Sequence, residues 1–209
     1  MKFVVLVSTG IDSPVSAYVL SKYATSLVLV HASIHPYGDE KEKDHFINLV
    51  KSLSERIKCP IKIYYLPHGE QLAQYQSDCE KRFTCVFCKR MMIRYANAIA
   101  EIEGADALVT GDSLGQVASQ TLQNIKIIDS ISTIPILRPL IGLDKEEIIK
   151  IAKELGTFDL SIIPQDSCRA VPSKPATHAK QRQILHEEKK LAINELINQA
   201  VTHAEIITI

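Results

Sequence analysis

The chain has 209 residues, enough for one full domain or one domain with a small appendage. Apolar residues make up 46% and charged residues 23%, a balance ordinary for a globular domain and far from that of a disordered or fibrous chain. Its 24 basic residues match 24 acidic ones, so bulk positive charge cannot hold a nucleic acid; such contact must come from local patches or a partner.

In chain order, short runs rich in Val and Ile alternate with longer amphipathic segments. Strands are predicted at 2–8, 26–32, 61–66, 106–110 and 135–138, and helices at 13–24, 40–57, 86–103, 144–155 and 178–201. The unbroken run Leu27-Val28-Leu29-Val30 suits a strand buried on both faces of a parallel sheet. The alternation predicts an α/β fold: a doubly wound, mostly parallel sheet with helices on both faces. Ligands of such folds bind at the carboxyl ends of the strands. The helix at 144–155 has Asp144 at the N-cap, Glu147 at the capping-box position and Gly156 as its stop. Residues 1–177 read as the core domain and 178–209 as a C-terminal helical extension packed on it. No apolar run approaches the ~18 residues of a membrane span, and the N-terminus lacks a secretory cleavage pattern. Five cysteines, an odd number, argue against a disulfide framework and toward metal or catalysis. A cytoplasmic, membrane-free protein is expected.

Three constellations carry chemistry. Ser8-Thr9-Gly10-Ile11-Asp12-Ser13 joins the first strand to the first helix. Free N–H groups and the positive dipole end of that helix suit an anion, and Ser8 and Ser13 add hydroxyl donors. Gly10 lets the backbone come close. Asp12 would repel a phosphate unless Mg²⁺ lay between them. A plain helix cap explains the same turn. The second is Cys85-Val86-Phe87-Cys88 at a helix start, followed by Lys89 and Arg90. Two thiolates do not complete a metal site, and Cys168 on a distant Pro-rich loop is a candidate third ligand. A redox dithiol or a structural zinc site are the alternatives; Cys59 reads as structural, and Cys79 stays open. The third is Thr110-Gly111-Asp112-Ser113-Leu114-Gly115-Gln116-Val117-Ala118-Ser119-Gln120-Thr121, in which Gln116 and Gln120 would share one helix face. No role is given to His31, His35 or His68.

The first turn resembles the pyrophosphate loop, Ser-x-Gly-x-Asp-Ser, of the N-type ATP pyrophosphatases. With the Cys-x-x-Cys-Lys-Arg-Met-Met block, the Thr110–Thr121 block, Ile136–Gly142 and Asp166-Ser167-Cys168, the order is that of tRNA 4-thiouridine synthetases. Residues 2–180 closely resemble their catalytic domain. The resemblance implies ATP and Mg²⁺ as cofactors, adenylation of a uridine 4-oxo group in tRNA, and displacement of AMP by sulfur. It implies Asp12 and Cys168 as catalytic residues. It implies ATP contacts at Leu6, Val7, Ser8, Gly10, Asp12, Ser13, Ala32, Ser33, Arg94, Gly111 and Gln116. For archaeal-type members it implies a [4Fe–4S] cluster on Cys85, Cys88 and Cys168, fed by a sulfur donor, and often a homodimer; in branches without the cysteine pair sulfur is carried as a persulfide, so Cys168 is either the third cluster ligand or a persulfide carrier. Two departures stand out. Thr9 replaces the usual Gly or Ser, and the chain begins at the first strand, with no ferredoxin-like and THUMP region before it. tRNA would then be held by a separate THUMP-like subunit, or by Lys81-Arg82, Lys89-Arg90-Arg94 and Lys174/Lys180/Arg182. The alternatives are thiolation of another acceptor, or a non-catalytic nucleotide-binding subunit of a sulfur-transfer complex.

Overall fold

Six strands form one sheet in the computed structural model, which describes residues 1–209. The strands are β1 (Lys2–Leu6), β2 (Ser26–Ser33), β3 (Ile61–Pro67), β4 (Ala107–Val109), β5 (Ile136–Leu137) and β6 (Glu205–Ile207). Their order is β5-β4-β1-β2-β3-β6, parallel throughout except for β6, which runs antiparallel along β3. Pleating sends alternate residues to opposite faces. Val4, Val28, Val30 and Leu108 face one layer; Phe3, Val5, Leu27, Leu29 and Val109 face the other. Each such fully buried large side chain contributes about 1.5–3 kcal/mol.

The helices are α1 (Asp12–Ser21), α2 (Glu42–Ser54), α3 (Gly69–Asp78), α4 (Thr84–Glu103), α5 (Leu122–Asp129), α6 (Lys145–Leu155), α7 (Phe158–Ser161), α8 (Gln181–Glu188) and α9 (Ile193–Thr202). Phe46, Val50 and Leu53 of α2 cover one face of the sheet, with Ala17 of α1. Leu72 and Tyr75 of α3, Met91 and Ala96 of α4 and Leu196 of α9 cover the other. This is the doubly wound, mostly parallel architecture expected from the alternating pattern. Helix α6 has the expected capping box, with Asp144 accepting from the Glu147 N–H and Gly156 closing the helix in the left-handed region at φ 76°.

The C-terminal segment departs from expectation. In place of one helix over 178–201, α8 and α9 are separated by a turn at Lys189–Ala192, and the chain ends in β6. No Gly or Pro marks the break. It lets two sets of tertiary contacts form at once: Glu188 reaches Arg90 and Arg94 of α4, while Leu196 and Ala200 enter the core beside them. Helices α3 and α5, short and flanked by polar turns, also lie outside the predicted elements.

Candidate active site

Strand order reverses between β1 and β4, so the loops following these two strands flank a crevice. The loop after β1 is tightly wound. The Ser8 N–H donates to Ser13 Oγ at 2.8 Å, the two hydroxyls lie 3.1 Å apart, and the Gly10 N–H donates to Ser8 Oγ at 3.3 Å. No side chain caps α1, so its first N–H groups stay available to a ligand. The loop after β4 presses against it: a Cβ on Gly111 would lie 2.8 Å from the Ser13 backbone, so only glycine fits there. Asp12 Oδ1 accepts from Lys145 Nζ at 2.5 Å, which brings the start of α6 to the loop.

The crevice holds a cavity of about 410 Å³. One part is apolar, with Leu6, Val30, Ala32, Met92, Ile93 and Ile128; the other carries the Ser8–Ser13 loop, Lys89, Asp112 and Gln120. An apolar body with a few convergent polar groups is the usual form of a small-molecule site. His31 also lines it, its ring stacked on Phe46 and Tyr65 at 4.2 and 5.2 Å. Its Nδ1 donates to the Val7 carbonyl at 2.8 Å, and Nε2 lies 3.3 Å from Glu42. Burial would raise the Glu42 carboxyl, but His31 and a Ser33 hydroxyl bond hold it below the usual range.

Asp112 is the electrostatic centre of the polar part. It is buried, paired with Lys89, and bonded to Thr110 Oγ1 at 2.8 Å and Arg138 Nε at 3.3 Å. Burial raises its carboxyl; Lys89, with Thr110 and Arg138, outweighs that and holds it down to about 2. The folded value lies below the unfolded one, so this stabilisation is complete above pH ~4 and is lost as pH falls toward 2. It amounts to roughly 2 kcal/mol. Urea titrations between pH 4 and 2 are expected to show the parent losing about that much more stability than Asp112→Asn.

Beside this cavity lie the cysteines. Cys85 and Cys88 occupy the first turns of α4, and Lys89, the next residue, lines the cavity. Cys168 sits on the loop after α7. That loop is tied to the Ser8–Ser13 loop and to the turn after β2: Thr9 Oγ1 donates to Gln165 Oε1 at 2.9 Å, and the Arg169 N–H to the Tyr37 carbonyl at 2.8 Å. The unusual Thr9 thus ties the anion loop to the cysteine loop. Burial, then proximity to Cys168, pushes the Cys85 thiol up; the same causes push Cys88 up to about 12. Fully buried His68 lies 3.3 Å from Cys88 Sγ, its own value held down to about 4 by burial. No three His, Cys, Asp or Glu side chains close around a single-ion site.

A family model described as thiamine biosynthesis protein (ThiI) matches residues 1–193. The chain belongs to the ThiI family. It is 39% identical over 210 residues to a probable tRNA sulfurtransferase of Acetivibrio thermocellus, covering 100% of this chain and 53% of that protein. Identity is also 39% over 207 residues to the probable tRNA sulfurtransferase of Methanosarcina mazei, covering 99% and 51%. This ThiI-family chain therefore spans about half the length of the curated relatives it matches. Among solved structures, a 4-thiouridine synthetase–RNA complex with bound ATP superposes with a TM-score of 0.92 at 33% identity, over 99% of this chain and 54% of that one. NMN synthetase from Francisella tularensis, at TM-score 0.59 and 18% identity, shares the fold alone.

The structure of this ThiI-family chain brings most of the expected residues to one place. Leu6, Val7, Ser8, Gly10, Asp12, Ser13, Ala32 and Gly111 all line the cavity. Three others do not. Ser33 is buried behind the wall, donating to Glu42 at 2.8 Å. Arg94 turns away, both its NH groups on Glu188 at 2.8 and 2.9 Å. Gln116 is exposed on a turn; residues 114–117 form no helix, so the shared face with Gln120 is absent and Gln120 alone lines the cavity. Lys89, of the same helix as Arg94, and Gln120, of the same segment as Gln116, line the cavity. Lys89-Arg90-Arg94 is also no RNA-facing patch: Lys89 pairs with Asp112, Arg90 is fully buried and Arg94 is tied to Glu188. Cys79 is set apart from the other thiols, donating to the Glu187 carbonyl at 3.8 Å, with burial pushing it up to about 11. Lys145, His31 and Glu42 were not foreseen. Only the neighbourhood of His31 to Ala32 and of Lys145 to the N-cap Asp144 hinted at them.

Proposed function

We propose that this chain binds ATP in the cavity, transfers AMP to the 4-oxo group of a uridine in tRNA, and exchanges that oxygen for sulfur to give 4-thiouridine. The observation that carries this reading is the adjacency of the two sites. Lys89 lines the cavity, while Cys88, the residue before it, belongs to the thiol group.

The apolar part takes the base, and the uncapped start of α1 with Ser8, Gly10 and Ser13 takes the phosphates. The donor at Asp12 fits Mg²⁺: a partly buried carboxylate within the Ser8–Ser13 loop, with Lys145 as a second positive group. Attack of uridine O4 on the α-phosphorus forms one P–O bond and breaks the bond to the bridging oxygen. Pyrophosphate leaves, and N3 gives up its proton. Loop N–H groups and Lys145 hold the charge that develops on the leaving group. Sulfide then forms a C–S bond at C4, the C–O bond breaks, AMP leaves with the oxygen, and the sulfide proton ends on N3.

Cys85, Cys88 and Cys168 form an all-sulfur donor set, soft and without a carboxylate. Burial pushes the Cys85 and Cys88 thiols up, and a bound metal centre would offset that cost by taking them as thiolates. Cys85, Cys88 and Cys168 would hold a [4Fe–4S] cluster, whose ligands are thiolates, and a cluster bound there would supply sulfur at the edge of the cavity. The RNA would be gripped in part by a separate THUMP-like subunit.

The test is anaerobic incubation with ATP, Mg²⁺, sulfide and an unmodified tRNA transcript. Pyrophosphate release and mercury-retarded, thiolated tRNA are both expected, and both should form about 10²–10³-fold more slowly with Asp12→Asn. ATP binding without pyrophosphate release would make the chain a non-catalytic nucleotide-binding module. Pyrophosphate release coupled only to another acceptor would overturn the RNA assignment.

A further inference from the structure

The fully buried His68 has no part in the chemistry above, yet it touches one of the three thiols, that of Cys88. It follows β3 directly, and its backbone is closely held. Its N–H donates to the Ser33 carbonyl at 2.8 Å, and the neighbouring Gly69 lies so close to the His35 carbonyl that a Cβ would stand 1.8 Å from that oxygen. The ring meets Tyr95 of α4 edge-on, with centroids 5.7 Å apart at 85°.

Its two nitrogens have different partners: Nδ1 lies 3.1 Å from the Tyr95 hydroxyl and Nε2 3.3 Å from Cys88 Sγ. Tyr95 is fully buried, and His68 Nδ1 is the one partner of its hydroxyl. A buried hydroxyl proton needs an acceptor, so Tyr95 donates and Nδ1 accepts. A neutral imidazole carries one ring proton, which then stands on Nε2 and points at the sulfur. Of the three grouped sulfurs, only that of Cys88 has such a partner.

We propose that Tyr95 and His68 form a fixed donor relay that holds the Cys88 sulfur as a hydrogen-bond acceptor, making His68 the positioning residue for this cysteine. An N–H···S bond stabilises negative charge on sulfur and orients it, the usual task of a partner behind a metal ligand. Cys88 is thereby the anchored sulfur, while Cys168 rides on a loop. This deepens the sulfur role given to the cysteines above and takes its functional meaning from it.

Two-bond ¹H–¹⁵N correlation spectra of the reduced, unloaded protein read the tautomer directly, with His68 identified by its absence from His68→Gln. The expected result is a protonated Nε2 and a bare Nδ1. In Tyr95→Phe, which keeps the ring and its packing, the proton should shift at least partly to Nδ1. A proton on Nδ1 in the parent, or a tautomer indifferent to Tyr95→Phe, overturns the relay. After anaerobic loading with iron and sulfide, iron loss to a chelator should be about 10–100-fold faster in His68→Leu and close to the parent rate in His68→Gln, which restores an N–H donor. Equal loss rates in all three proteins would overturn the positioning role. Failure of the parent to take up iron would refute the cluster reading instead, and the tautomer would still decide the relay.

Discussion

Replacing Asp12 by Asn is expected to slow pyrophosphate release about 10²–10³-fold, the scale of losing one group that stabilises transition-state charge. The same change should leave the stability within about 1 kcal/mol of the parent, because Asp12 pairs only with a part-exposed Lys145. Lys145→Met should reproduce the rate loss. Both residues meet at the phosphate loop, so the double variant should lose much less than the product of the two single effects. Steady-state pyrophosphate assays with thermal unfolding curves check all three proteins. A large loss of stability in Asp12→Asn would mean that the residue acts as scaffold, and strict additivity would mean that Asp12 and Lys145 act at separate points.

Glu188→Ala is expected to cost about 3–5 kcal/mol, because it leaves buried arginine charge without its partner. Both carboxylate oxygens of Glu188 are used: Arg90 donates from Nε and NH2 at 2.8 Å each, and Arg94 from NH1 and NH2 at 2.8 and 2.9 Å. Arg90 is fully buried and adds bonds from NH1 to the Ile127 carbonyl and Ser130. Burial would raise the Glu188 carboxyl, and the two guanidinium groups hold it below its usual range. For a chain of this size the expected fall in Tm is roughly 6–20 °C. Replacing Glu188 and Arg90 together by apolar residues should recover part of the loss, since no uncompensated charge remains between them. Calorimetry of the single and double variants checks this, and a Glu188→Ala protein as stable as its parent would refute it. The same network clamps α8 onto α4, the helix that carries Cys85 and Cys88, so its loss should also loosen the cysteine site.

The parts of the site legible from sequence were local ones. The Ser8–Ser13 turn, the start of α4 at the Cys-x-x-Cys pair, and the capping box of α6 depend on residues within one turn of each other. Their geometry follows from hydrogen bonds that the neighbouring chain supplies. The alternation of apolar runs with helices pointed to the doubly wound class and to a site at the carboxyl ends of the strands, whereas the strand order that presses the Gly111 segment against the Ser8–Ser13 loop came only with the tertiary structure. The choice of cation along α4 was not legible. Lys89 and Arg94 are five residues apart, about 140° around a helix, so they look in different directions. Sequence periodicity does not say which direction holds the cavity and which holds α8. That Gln120 lines the cavity while Gln116 is exposed was hidden for a similar reason, because residues 114–117 fold as turns with no helical face.

Composition, periodicity and short motifs by themselves determined a doubly wound α/β chain with an anion loop at the end of β1 and a thiol pair at a helix start. Only the tertiary structure decided which charges face which. Lys145 reaches Asp12 across 133 positions, Arg90 reaches Glu188 across 98, and His68 meets Cys88 from a different layer of the fold. Such pairings carry no local signature. A charge or an imidazole has the same sequence context whether it ends in water or in the interior, and the packing of sheet and helices alone brings it to its partner.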